Sequence, residues 1–252
     1  MAHVIVITNQ KGGVGKTTTA VNLSACLAAS GVKTLLIDLD PQGNATSGIG
    51  LDKNNLEFTL YDVLINETLM ANVIYETQVE NLHIVPSDKH LAGAEVELVD
   101  VPRRENRLRD TIEPIRDRYE YIIVDSPPSL SLLTVNGLAA GDSVLIPLQC
   151  EYYALEGLSE LLQTIILVRD NVNPALKLQG VLLTMFQRTN LSRQVIEDVR
   201  AHLGEKVYQT VIPRNVTLGE APSFGKPVIH YDAHCAGALA YLALTEEILA
   251  HN

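Results

Sequence analysis

The stretch VIVITNQKGGVGKTTT, from Val4 to Thr19, restricts what this chain can fold into more than any other. Val4 to Ile7 is a short β-branched apolar run and reads as a buried strand. It breaks at a turn holding Gly12, Gly13 and Gly15, and Lys16-Thr17-Thr18 then opens a helix through Ala29. Strand, glycine turn and helix in that order are the setting of a phosphate-binding loop. Glycines let backbone N–H groups turn inward around an anion, and the helix adds its positive end. In such a loop Lys16 reaches the β- and γ-phosphates, and the Thr17 hydroxyl ligates Mg²⁺. The pattern G-x-x-x-x-G-K-[ST] is met only in part, because Gln10 stands at its first position and a second lysine, Lys11, lies inside it.

Two further segments carry carboxylates to the ends of apolar strands. Thr34 to Ile37 delivers Asp38-Leu39-Asp40-Pro41-Gln42-Gly43-Asn44, and Tyr121 to Val124 delivers Asp125-Ser126-Pro127-Pro128. The C-terminal ends of parallel strands are where α/β sheets gather their chemistry. Carboxylates two residues apart in extended chain point the same way, so Asp38 and Asp40 can share a site. Asp-Pro and Gly-Asn are also turn dipeptides, which leaves a solvated turn as the plainer alternative. An apolar strand with a terminal acid downstream of a phosphate loop has the form of a Walker B strand, its carboxylate holding Mg²⁺ through water.

Strand and helix patterns alternate along the rest of the chain. Strands are expected at Leu82 to Pro86, Ser143 to Leu148, Leu178 to Thr184 and Val207 to Ile212. Helices are expected around Leu60 to Ile65 and Leu69 to Ile74, across a charged run from Leu91 to Arg118, and at Leu155 to Asp170, Leu191 to Leu203 and Cys235 to Ala250. The implied fold class is α/β, a mostly parallel twisted sheet with helices on both faces. No linker, repeat or low-complexity stretch divides residues 1–252, so one domain is expected. In the charged run, Arg103, Arg104, Arg107 and Arg109 alternate with Glu105 and Asp110, which favours a solvated, salt-bridged face over a basic patch.

Composition narrows the function classes. Apolar residues make up 46% and charged residues 19%, which suits a two-sided core and not a disordered chain. Cys26, Cys150 and Cys235 are far apart, in no C-x-x-C spacing, which argues against a disulfide framework or zinc site. The first strand starts too early for a signal peptide, and no apolar run is long enough to span a bilayer, so a cytoplasmic location is expected. The net charge is −11, yet residues 177–252 hold seven basic and seven acidic residues. All of the acidic excess precedes them, so a polyanion should meet the last third.

Taken together, NQKGGVGKTTTAVNL, LLIDLDPQGNATSGIG, YIIVDSPPSLSLLTVN, CEYYALEGL and VIPRNV…EAPSFGKPVIHYD resemble the ParA/Soj family of partition ATPases, in the family's order. The lysine-bearing loop resembles the deviant Walker A loop of the ParA/MinD group. That resemblance implies ATP and Mg²⁺ as cofactors, a phosphate cradle of Gly12, Gly13, Val14, Gly15, Lys16, Thr17 and Thr18, and a face-to-face homodimer in the ATP state. It implies Lys11 reaching the partner subunit's nucleotide, Asp40 orienting the attacking water, Asp38 supporting the magnesium shell and Asp125 as the Walker B acid. Met185, Pro213 and Asn215 match the adenine-contacting positions. Slow hydrolysis, stimulation by a ParB-like protein and non-specific binding of duplex DNA follow from the same likeness. Arg188 matches a DNA-contacting position, with Arg193 and Lys226 as further candidates. Where family members often carry arginine, this chain has Thr217 and the segment Asp232 to Gly237. With Arg188 and one other residue per subunit, a dimer would neutralise roughly four phosphates.

Three rivals differ in sequence requirements. A MinD-type membrane-cycling ATPase needs a basic amphipathic tail, but ALAYLALTEEILAHN holds no Lys or Arg. An iron–sulfur carrier or nitrogenase-type reductase needs paired cysteines. A ParA-like positioner of other cargo, with weak or no DNA binding, has the same ATPase residues and stays open.

Overall fold

The computed structural model describes residues 1–151 and 154–250. Tyr152 and Tyr153, within one of the family-like segments, lie outside the described residues. The strands are β1 (His3–Ile7), β2 (Thr34–Asp38), β3 (Tyr75–Glu76), β4 (Leu82–Val85), β5 (Tyr121–Asp125), β6 (Ser143–Gln149), β7 (Lys177–Phe186) and β8 (Val207–Pro213). They form one sheet in the order β3-β4-β2-β5-β1-β6-β7-β8. Every pairing is parallel except β3 with β4 at one edge.

Side chains on successive residues of a strand face opposite sides, and here both sides are covered. Val4, Val6, Leu35, Ile37, Ile122, Val124, Val144 and Ile146 join one buried cluster, whereas Ile5, Ile7, Leu36, Ile123 and Leu145 join another. The first cluster is closed by α3 (Leu60–Leu64), α4 (Leu91–Glu97), α5 (Arg107–Ile112), α6 (Leu132–Ala140), α7 (Ala154–Asn171) and α8 (Asn190–Leu203). The second is closed by α1 (Lys16–Ala29), α2 (Asn44–Gly48), α9 (Val216–Glu220), α10 (Val228–Tyr231) and α11 (Ala236–Ala250).

Several local expectations are corrected. The run from Leu91 to Arg118 is no single helix: α4 ends at Glu97, and two 3₁₀ turns flank α5. Pro102 and Pro114, which lack an N–H, interrupt it. Two of its four named arginines form ion pairs, Arg103 with Asp110 at 3.3 Å inside the run and Arg107 with Glu67 outside it at 3.8 Å. Leu69 to Ile74 forms only a 3₁₀ turn at Met70–Asn72, then feeds β3. Six residues span less than two helical turns, and Leu69 at their start is exposed and adds no packing to hold a longer helix. The Gly43-Asn44 turn goes on as α2 rather than as loop.

The C-terminal helix is a core element. Tyr241, Leu244 and Ile248 of α11 are fully buried, and the Tyr241 hydroxyl lies 3.1 Å from Thr19 Oγ1 on α1. Among the described residues no helix is long and apolar enough to cross a membrane.

Candidate active site

The sheet order places β1 between β5 and β6, so the chain leaving β1 rises from the centre of the sheet. Its turn is left-handed at Gly13 (φ 74°) and Gly15 (φ 93°), conformations that a side chain disfavours. A Cβ at Gly12 or Gly13 would enter open space. The constraint there is backbone conformation and room for an anion, not packing. Gly15 caps α1 without a side-chain hydrogen bond, and the helix has no acid in its first turn. Its first N–H groups are therefore open to an anion. Thr184 at the end of β7 anchors the loop by donating from Oγ1 to the Val14 carbonyl at 2.8 Å.

Lys16 is 6% exposed, and its Nζ donates to the Lys11 carbonyl at 3.0 Å. Burial holds its pKa below the ordinary lysine value, against the opposing pull of Asp125 and then Asp40. Thus all three groups lie within electrostatic reach of one another. Lys11 points elsewhere: its Nζ pairs with Glu151 Oε2 at 2.7 Å in an exposed ion pair.

Asp38 and Asp125 are buried completely, but their surroundings differ. Asp38 Oδ2 accepts hydrogen bonds from the Thr46 backbone N–H and hydroxyl, both at 2.7 Å, and Oδ1 accepts from the Asp40 N–H at 3.2 Å. Burial still pushes its pKa up to about 6, partly offset by those donors. Neither oxygen of Asp125 has a hydrogen-bond partner. Burial, then the nearby Asp38 charge, raises Asp125 well above the usual carboxylate range. The Thr17 hydroxyl and Lys16 pull it back, with Thr17 outside hydrogen-bond geometry. A buried carboxylate with two open oxygens beside a hydroxyl and an ammonium suits a hydrated divalent cation. Among the described residues no cluster of three or more His, Cys, Asp or Glu forms a metal cage. Mg²⁺ is commonly held by a few protein oxygens plus phosphates and waters. Asp38, with its oxygens occupied, fits a supporting place rather than direct ligation.

Asp40 is 7% exposed, and its Oδ1 accepts from the Gln42 N–H at 2.9 Å. Gly43 must be glycine, since its φ is 60° and a Cβ would meet the Ser87 carbonyl oxygen at 2.7 Å. A cleft of about 240 Å³ beside the loop is lined by Gly15, Thr18, Met185, Pro213, Asn215 and Tyr241 among others. The three expected base-contacting positions thus converge next to the phosphate cradle. Met185 has φ 51°, a left-handed conformation costing roughly 1–2 kcal/mol outside glycine. Asn215 caps α9, its Oδ1 accepting from the Leu218 N–H at 3.3 Å, which leaves the amide NH₂ for the cleft.

The three candidate DNA contacts do not stay together. Arg188 and Arg193 are exposed at the start of α8. Lys226 lies beside Pro227 and His230 over Ile49 and Val79, on the sheet face that carries α1. Sequence reading also passed over Thr46, Ser87, Thr184 and Tyr241. Thr184 alone carried a legible signal, as a hydroxyl at the C-terminal end of an expected parallel strand.

Comparisons with known proteins agree with this architecture. A family model described as an AAA domain matches residues 2–178. The chain is 56% identical over 253 residues to the sporulation initiation inhibitor protein Soj of Bacillus subtilis (strain 168), covering 100% of both chains. It is 54% identical over 253 residues to the chromosome partitioning protein ParA of Myxococcus xanthus (strain DK1622), covering 100% of this chain and 89% of that one. Among solved structures, cobyrinic acid a,c-diamide synthase from Mycobacterium smegmatis with bound ADP and magnesium is similar at TM-score 0.87 and 36% identity, covering 100% of this chain and 95% of that chain. Matching over its whole length at this identity, the chain belongs to the Soj/ParA family of chromosome-partitioning ATPases.

Proposed function

We propose that this protein is a Mg²⁺-dependent ATP switch: ATP joins two subunits, the dimer holds duplex DNA without sequence preference, and a ParB-like partner stimulates hydrolysis. The observation that carries the reading is the buried group Lys16, Asp125 and Asp38 at the mouth of a glycine cradle. Three ionisable groups this deeply buried are costly unless a ligand of matching charge completes them.

ATP is the substrate. Its phosphates take the Gly12 to Thr18 backbone amides, and Lys16 moves its ammonium from the Lys11 carbonyl to the β- and γ-oxygens. Thr17 and Asp125 hold the metal side, with Asp38 fixed behind them by Thr46. Bound magnesium neutralises charge on the β- and γ-phosphates. Asp40 orients the attacking water, and the base rests against Met185, Pro213 and Asn215. Lys11 leaves its exposed pair with Glu151 to reach the partner subunit's nucleotide.

Membership of this family supports slow turnover by the protein alone. Ordering such a site from outside accelerates related phosphoryl transfers by about 10³–10⁵. The acidic first two-thirds of the chain attracts a basic partner segment. The test is ATP turnover with and without Mg²⁺, and with and without a ParB-like protein from the same source. Slow turnover that requires Mg²⁺ and rises with the partner is expected. Fast turnover indifferent to both overturns the switch reading.

A further inference from the structure

The loop that carries Asp40 is covered by a side chain from a separate turn. Lys53 lies beyond α2, at the centre of a turn that Asp52 organises. Asp52 Oδ1 accepts from the Asn54 N–H and from its side-chain amide, both at 3.0 Å, and Oδ2 accepts from the Asn55 amide at 2.7 Å. The backbone at Lys53 is thereby fixed from the residues on either side of it. The segment is anchored at Gly50, where φ is 97° and a Cβ would stand 2.8 Å from the Gly225 carbonyl oxygen.

From this turn the Lys53 side chain crosses back over Gly43. A Cβ at Gly43 would stand 2.6 Å from Lys53 Cδ and 2.7 Å from the Ser87 carbonyl oxygen. The lysine stem therefore fills space that a side chain at position 43 would need. Beyond it, the Lys53 ammonium donates to the Gln42 carbonyl at 2.7 Å. Lys206 also donates to a carbonyl, that of Leu178 near the start of β7, but at 3.4 Å. Gln42 is the residue whose N–H donates to Asp40 Oδ1 at 2.9 Å, and the Gly43 N–H closes the same turn on the Asp40 carbonyl at 2.8 Å. So Gln42 holds Asp40 with its N–H and is itself held by Lys53 through its C=O. Gln42 is exposed, and without the ammonium its carbonyl would face water, which fixes no direction.

We infer that Lys53 is a positioning residue for hydrolysis: it clamps the turn from Asp40 to Gly43 and so aims the Asp40 carboxylate at the attacking water. The inference rests on the water-orienting role proposed for Asp40 and names the group that holds that carboxylate in place. A group that orients a reacting water has to be kept within about 0.5 Å of its productive position. A solvent-facing turn lacks that rigidity by itself. The Lys53 ammonium touches backbone and not the phosphate cradle, so ATP binding and dimer formation do not depend on it.

The experiment compares Lys53→Met, which keeps the stem and removes the ammonium, with Lys53→Arg, which keeps a charged donor. ATP turnover is measured against ATP concentration at saturating Mg²⁺. Binding of a fluorescent ATP analogue, light scattering of the ATP dimer and thermal melts accompany it. Lys53→Met is expected to lower kcat roughly 3- to 10-fold, the effect of losing one partly exposed, charge-assisted hydrogen bond. KM, analogue affinity and Tm should match the parent, and the ATP dimer should persist longer in proportion. Lys53→Arg should recover most of the rate. Lys33→Met, which removes a cation just before β2 at the end away from Asp38, should change nothing. Parental turnover in Asp40→Ala would overturn the water-orienting role and the clamp with it. An inactive Asp40→Ala beside a Lys53→Met protein of parental kcat would overturn the clamp alone. A loss carried by KM or analogue affinity would place Lys53 on the nucleotide instead, and a loss that disappears well below the melting temperature would make it a stabilising contact only. Either outcome overturns the clamp, as does a Lys53→Arg protein as slow as Lys53→Met.

Discussion

Asp38 and Asp125 are paired residues on adjacent parallel strands, the last of β2 beside the last of β5, and neither has exposed surface. The two are unequal. Three donors satisfy Asp38, while Asp125 has none. That inequality separates a supporting carboxylate from one kept open for a ligand.

Asp125→Asn should therefore stabilise the nucleotide-free protein while removing Mg²⁺-dependent ATP binding. The folded state raises the Asp125 pKa, so it holds the proton more tightly than the unfolded chain does. Stability from this group is present below the unfolded pKa of about 4 and is lost as pH rises above it. The variant lacks that loss, so its advantage should grow with pH. At neutral pH a gain of about 1 kcal/mol would raise Tm by roughly 2–4 °C. Thermal melts across pH, without nucleotide, check it; a lower Tm for the variant at neutral pH would contradict the assignment.

Thr46→Val should weaken both fold and catalysis. The Thr46 hydroxyl donates to Asp38 and accepts the Ser87 N–H at 2.9 Å, so the variant strands the Ser87 N–H and takes away one of the three donors to Asp38. A loss of roughly 1–3 kcal/mol is expected in urea unfolding, with slower ATP turnover at saturating Mg²⁺. Unchanged stability would show that water replaces the hydroxyl.

Lys11→Ala should leave the monomer nearly intact and abolish the stable ATP dimer. Its ion pair with Glu151 is exposed and contributes at most about 1 kcal/mol. Asp40→Ala should behave oppositely, binding ATP but holding the dimer because hydrolysis stops. Light scattering with ATP separates the two. A dimeric Lys11→Ala protein, or a monomeric Asp40→Ala protein, would count against the sandwich arrangement.

Lys16→Ala should lose productive ATP binding, since a buried ammonium beside the cradle is gone. Titration with a fluorescent ATP analogue measures this, and parental turnover in the variant would refute the phosphate-loop assignment.

Much of the site was legible because its signals are local. The glycines and Lys16 lie in one loop, and Asp38 and Asp125 each end an apolar run. Such patterns report backbone conformation and strand ends directly. The charged run from Leu91 to Arg118 was misread because helical spacing persists across Pro102 and Pro114. The Leu69 to Ile74 segment was misread because a few apolar residues satisfy either period.

Sequence alone determined the phosphate loop, the parallel α/β class and the acids that end its strands. Only tertiary structure decided that β2 and β5 lie side by side, leaving Asp125 bare beside a satisfied Asp38. It also decided that Lys226 lies over Ile49 and Val79, apart from Arg188 and Arg193, and that β3 turns antiparallel at the edge. The reason is the sheet itself. A parallel strand reaches its neighbour through a crossover of many residues, so the identity of that neighbour is set by how whole helices and strands pack, not by the spacing within either strand.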